Sequence, residues 1–106
     1  MPERDVLFEI VTPLDFQASV TRERWEMIVT IKHPVMAGRE HSVKLASENP
    51  DEARRSRTDP EVLLFYKAEG PKRWTCAVVK RTNDEAFLVT AYPTDAVKEG
   101  VRIWPK

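Results

Sequence analysis

Residues 61–92, EVLLFYKAEGPKRWTCAVVKRTNDEAFLVTAY, hold three apolar runs rich in β-branched and aromatic residues, at 61–68, 74–81 and 86–92. Turn formers separate them: Glu69-Gly70-Pro71, then Asn83-Asp84. A fourth run at 51–57 precedes them across Thr58-Asp59-Pro60. Short connections favour antiparallel neighbours, so the spacing predicts a four-stranded antiparallel meander.

Upstream the periodicity changes. Trp25, Ile28, Val29 and Ile31 recur at helical spacing across 22–32, with Glu23 and Glu26 near the start and Thr21 as N-cap. Pro34 disfavours helical geometry at the residue before it, so this helix should finish at His33. A second helix is predicted over 36–48, with Val43 and Ala46 inward and Asn49-Pro50 as its stop, although Gly38 weakens it. Residues 6–11 and the alternation Leu14, Phe16, Ala18, Val20 read as a hairpin turning at Thr12-Pro13. The expected architecture is therefore α+β: an N-terminal hairpin and two helices on one face of the meander. The whole chain, 1–106, reads as one domain, with 1–20 as a hairpin extension and 21–106 as its core.

A chain of 106 residues, 42% hydrophobic and 32% charged, has material for one core and excludes a large multidomain enzyme. Lys and Arg balance Asp and Glu at 17 each, which argues against nucleic-acid binding through global charge. The charges are unevenly spread, however. Residues 1–53 carry six basic against ten acidic side chains, and 54–106 carry eleven against seven, so the second half is the better anion binder. The lone cysteine, Cys76, excludes an intramolecular disulfide and a cysteine-rich zinc site; it sits in an apolar run and reads as a small buried hydrophobe. No apolar stretch reads as a signal peptide or membrane span, and a cytoplasmic location is the expectation.

In the last run, alternation sends Phe87, Val89 and Ala91 toward the helices and Ala86, Leu88, Thr90 and Tyr92 to the opposite, partly open face. Tyr66 joins that face if Leu63 and Phe65 are the inward pair of their strand. Lys80 and Arg81 must point to opposite faces, and parity does not say which is which. A cation with tyrosine and threonine hydroxyls, near Arg55 and Arg57, could hold a phosphodiester, because guanidinium and ammonium groups neutralise phosphate oxygens. Imidazole exchanges a proton near neutral pH, so His33 suits an acid or base role if the helix end reaches the sheet. Cleavage of RNA by such groups requires no metal and no cofactor. The same side chains also read as sheet packing, as a charged edge strand, as a non-catalytic binding face, or as a homodimer surface.

Taken together, Trp25, His33-Pro34-Val35-Met36, Asn49-Pro50-Asp51-Glu52, Arg55-Ser56-Arg57, Lys80-Arg81 and Thr90-Ala91-Tyr92-Pro93-Thr94-Asp95, with Lys98, Gly100 and Trp104, resemble small proteins of the barnase, EndoU, colicin and RelE-like nuclease group. The likeness is to its phage and mobile-element branches and runs from Trp25 to Trp104. It implies N-terminal helices on a four-stranded antiparallel sheet, and a metal-independent endoribonuclease of the kind that includes toxins of toxin–antitoxin pairs, with RNA and an antitoxin as partners. Carried over by position, His33 would be acid or base, Lys80 or Arg81 the phosphate stabiliser, and Thr90 and Tyr92 the last-strand polar pair. Arg55, Arg57, Tyr66, Thr94 and Lys98 would line the substrate path.

Overall fold

The structure, a computed structural model, describes residues 5–105; residues 1–4 of the expected extension lie outside the described residues. The element order is β1 (Val6–Val11), β2 (Gln17–Thr21), α1 (Arg22–Met27), α2 (Glu40–Glu48), β3 (Glu52–Arg55), β4 (Val62–Gly70), β5 (Arg73–Arg81), β6 (Ala86–Thr94) and β7 (Val101–Trp104). The α+β class holds. The expected four-stranded antiparallel meander is corrected: there is one seven-stranded mixed sheet, ordered β1-β2-β6-β5-β4-β3-β7. Strands β3 to β6 are consecutive antiparallel neighbours within it. The hairpin is not an appendage but extends the sheet, with β2 lying parallel to β6 at Ser19 and Phe87. At the other edge β7 pairs antiparallel with β3.

These added strands follow from burial. Ile10, Ala18 and Val20 are at most 2% exposed and belong to one core with Trp25, Ile28, Met36, Val43, Ala46, Leu63, Phe65 and Val79. A free two-stranded hairpin could not bury that apolar side by itself, so it joins the sheet under the helices. Its outer edge is blocked: the Val11 N–H donates to Glu48 Oε2 at 2.9 Å and Lys44 Nζ donates to the Glu9 carbonyl at 3.1 Å. Two side chains of α2 thereby occupy backbone groups that could template another strand.

Thr21 caps α1 by accepting from the Arg24 N–H at 3.1 Å. The helix widens into a π turn over Ile28–Lys32 and ends at His33, as Pro34 requires. The second helix starts at Glu40 rather than at residue 36. Pro34–Met36 form a separate 3₁₀ turn, and Gly38, at φ 79°, breaks continuity between the two.

Two faces result. On the first lie the helices and the main core. On the second, Leu64, Tyr66, Cys76 and Val78 form a smaller cluster, packed by Val62, Trp74, Val89, Tyr92 and Val97. Residues 95–100 connect β6 to β7 from one side of the sheet to the other, so Val97 and Glu99 lie against this second face. Gly100 closes the crossing. It adopts φ 79°, and a Cβ there would stand 2.5 Å from the Arg55 carbonyl oxygen. Gly100→Ala should therefore cost about 2 kcal/mol or more, from left-handed strain plus the backbone clash. Thermal unfolding of the variant is the check, and an unchanged midpoint would contradict this account.

Alternation along β6 is broken by a bulge. Val78 pairs with Thr90 but Val79 pairs with Leu88, leaving Val89 as the extra residue. Leu88 is fully buried in the helix-side core with Ala86 beside it, whereas Val89 packs on the second face and Phe87 pairs with Lys80. The expected orientations of Ala86, Phe87, Leu88 and Val89 are thus reversed. Those of Thr90, Ala91 and Tyr92, beyond the bulge, are as the alternation gives them. One inserted residue flips every side chain before it.

Candidate functional site

His33 is held by its backbone. Its N–H donates to the Ile28 carbonyl at 2.7 Å, closing the π turn, and its carbonyl accepts from the Met36 N–H at 2.9 Å. Met36 is fully buried and anchors the 3₁₀ turn. Between those fixed points the imidazole reaches the end of β6, where its ring centroid lies 5.5 Å from that of Tyr92 at an interplanar angle of 41°. The access comes from the topology: β2 pairs with β6 only at Phe87, so no strand pairs with β6 on that side where Tyr92 stands.

Behind Tyr92 is a chain of polar groups in an apolar setting. The Cys76 thiol interacts with both the Tyr92 and Tyr66 hydroxyls, and the Glu99 backbone reaches Tyr66. Burial pushes Tyr66 up to about 12, with Cys76 adding to the rise. The Cys76 thiol is likewise pushed up to about 12 by burial. Tyr92 is raised above its ordinary range by burial first and by Cys76 next. All three are neutral at physiological pH, so Tyr92 is a hydrogen-bond donor and Cys76 is not a thiolate nucleophile. Thr90, on the same face two residues away, has a buried Oγ1 with no hydrogen-bond partner among the described residues.

A groove of about 310 Å³ opens at the same end of β6; neither His33 nor Tyr92 lines it, and its nearest lining residues in sequence are Val35 and Pro93, the latter turned to the face opposite Tyr92. Val35, Pro93 and Thr94 form part of its wall, Arg39, Lys72 and Arg73 supply its cations, and Glu69 and Asp95 its carboxylates. Arg39 is neutralised by Glu69 at 2.8 Å. Lys72 and Arg73 have no carboxylate within ion-pair distance among the described residues. Neither was legible as functional: they follow the turn formers Glu69-Gly70-Pro71 and precede the next apolar run, and only the fold brings that turn next to the end of β6.

The other expected site residues are scattered. Lys80 takes the second face with Val62, but Asp59 at 3.4 Å and Glu61 at 3.9 Å occupy its ammonium. It is four residues along β5 from the partner of Tyr92, about 13 Å away. Arg81 faces the other way, its guanidinium 4.5 Å above the Phe16 ring. Arg55 lies on that same first face, and Arg57 is exposed beyond the end of β3. Tyr66 is 1% exposed, so it supports Tyr92 rather than presenting itself to a ligand. The Thr94 hydroxyl donates to the Ala96 carbonyl at 3.1 Å and shapes the start of the connection, on which Lys98 is exposed. His41 is exposed on α2. Thus the fold brings together His33 and Tyr92, with Thr90 two residues along the same face and Tyr66 behind, and leaves Lys80, Arg81, Arg55 and Arg57 elsewhere.

Among the described residues no three His, Cys, Asp or Glu side chains cluster as metal ligands, and no helix is long and apolar enough to cross a membrane. Comparison with protein-family models, with characterised proteins and with solved structures returned no match.

Proposed function

We propose that this chain is a metal-independent endoribonuclease of the barnase, EndoU, colicin and RelE-like kind, acting at the end of β6. The observation that carries the reading is the imidazole of His33 set 5.5 Å from the Tyr92 ring, at the end of β6 where Lys72 and Arg73, without a carboxylate partner among the described residues, line a nearby groove. His33 takes the proton from a ribose 2′-hydroxyl, whose oxygen then attacks the adjacent phosphorus. The P–O2′ bond forms and the P–O5′ bond breaks, and the leaving oxygen collects a proton from water. Tyr92, a phenol that is neutral at physiological pH and held more firmly so by burial, donates a hydrogen bond to a non-bridging oxygen as charge builds there. Lys72 and Arg73 hold the phosphate, the role that Lys80 or Arg81 was expected to fill. RNA is the partner this reading names, and a neutralising antitoxin is its natural companion.

The test is digestion of RNA in EDTA. Products ending in 2′,3′-cyclic or 3′-phosphate, with 5′-hydroxyl partners, support the proposal. A folded protein that cuts no RNA overturns it. A non-catalytic binding module is the second reading, favoured by the ion-paired state of Lys80 and the burial of Tyr66. It predicts saturable RNA binding with no turnover.

A further inference from the structure

Arg55 and Arg81, separated from the His33 and Tyr92 pair, meet at a second cleft. Arg81 is five residues along β5 from the partner of Tyr92, about 17 Å away, and on the opposite face. The cleft is about 620 Å³ and open to solvent. Leu14, Pro60, Leu63 and Ile103 give it an apolar wall, and the two arginines flank that wall. Arg81 is pre-oriented, since its guanidinium rests on Phe16 and its backbone N–H donates to the Glu61 carbonyl at 2.8 Å. Neither guanidinium has a carboxylate within ion-pair distance among the described residues.

We propose that this cleft binds an acidic, aliphatic peptide segment of a partner protein. Two planar guanidiniums, whose donor edges meet no carboxylate among the described residues, match carboxylates, which they can grip through paired hydrogen bonds. The wall between them matches a Leu, Ile or Val side chain, which gains from leaving water. Charge and shape disfavour nucleic acid here. Among the described residues no aromatic ring lines the cleft, and the Phe16 ring that Arg81 rests on is covered by it, so no bare face is offered for a base to stack on. Glu61, also lining the cleft, opposes a run of phosphates but tolerates a single carboxylate held by arginine.

The experiment is selection from a displayed library of short linear peptides on the full chain. Binders are then compared on Arg55→Ala/Arg81→Ala and on His33→Ala, with oligouridylate as competitor. The expected result is enrichment of sequences pairing Asp or Glu with Leu, Ile or Val. Their Kd should rise about tenfold or more in the double arginine variant, stay unchanged in His33→Ala, and resist oligouridylate. Both arginines are exposed, so the double variant should keep its fold, which its circular dichroism checks. Absence of any enriched motif overturns the proposal, as does affinity that survives loss of both arginines. Displacement by oligouridylate overturns it too and assigns the cleft to RNA. Because Arg81 lies about 17 Å along the sheet from Tyr92, and the two clefts share no lining residue, this outcome is independent of whether His33 cleaves RNA.

Discussion

Replacing His33 with alanine should lower the RNA-cleavage rate by about 10²- to 10⁴-fold, the usual contribution of a positioned proton-transfer group. The fold should survive, because the residue is only half-buried and its position is set by backbone hydrogen bonds to Ile28 and from Met36, which alanine keeps. Tyr92→Phe separates contact from chemistry. The ring still meets the imidazole, but the donor is gone, so kcat should fall by about 10-fold or more while binding changes little. Rates of the two variants measured against wild type in EDTA decide the matter. If both cut RNA at the wild-type rate, the site assignment fails even though the protein is a nuclease.

Between pH 8 and pH 11 this protein should lose more stability than its Cys76→Ala or Tyr66→Phe variants do. Tyr66 rises from 10.0 to about 12 in the fold, and Cys76 from 9.0 to about 12, both chiefly through burial. A raised folded value means that the native state holds its proton where the unfolded chain has lost it. That stabilising preference is intact below pH 9 and drains away as pH climbs from 9 toward 12. By pH 11 the loss should reach about 3 kcal/mol for the coupled cluster as a whole, taking roughly 1.4 kcal/mol per unit and allowing for interaction between neighbours. Urea midpoints at pH 8 and pH 11 measure it. Lysine ion pairs such as Lys67 with Asp51 also weaken in alkali, so the difference between wild type and variants is the quantity to read. An equal fall in all three proteins would show that the cluster is not the cause.

Local signals carried the parts of this fold that depend on neighbouring residues. Thr21 and Pro34 bracket α1 because a cap and a φ-restricted ring act within a turn, and the runs that became β3 to β6 alternate with turn formers in plain view. The strand β7 had a signal, the β-branched pair Val101 and Ile103 beside Trp104, but four residues are too few for periodicity to separate a strand from a tail. The bulge at Val89 had none. It is set by what Val78 and Val79 face on β5, and a period-two reading cannot know where the period skips.

The candidate site divides along the same line. By itself the sequence determined which chemistry is present: one imidazole at a helix end, hydroxyls on a strand, cations concentrated in the second half. Proximity was decided by tertiary structure. Strand pairing gave Lys80 to Asp59 and Glu61, turned Arg81 toward Phe16, and carried the Lys72-Arg73 turn to the end of β6. Alternation fixes that Lys80 and Arg81 part company, since consecutive side chains of a strand must. Which of them meets an acid depends on partners twenty residues away in sequence, and that is settled only when the sheet closes over its core.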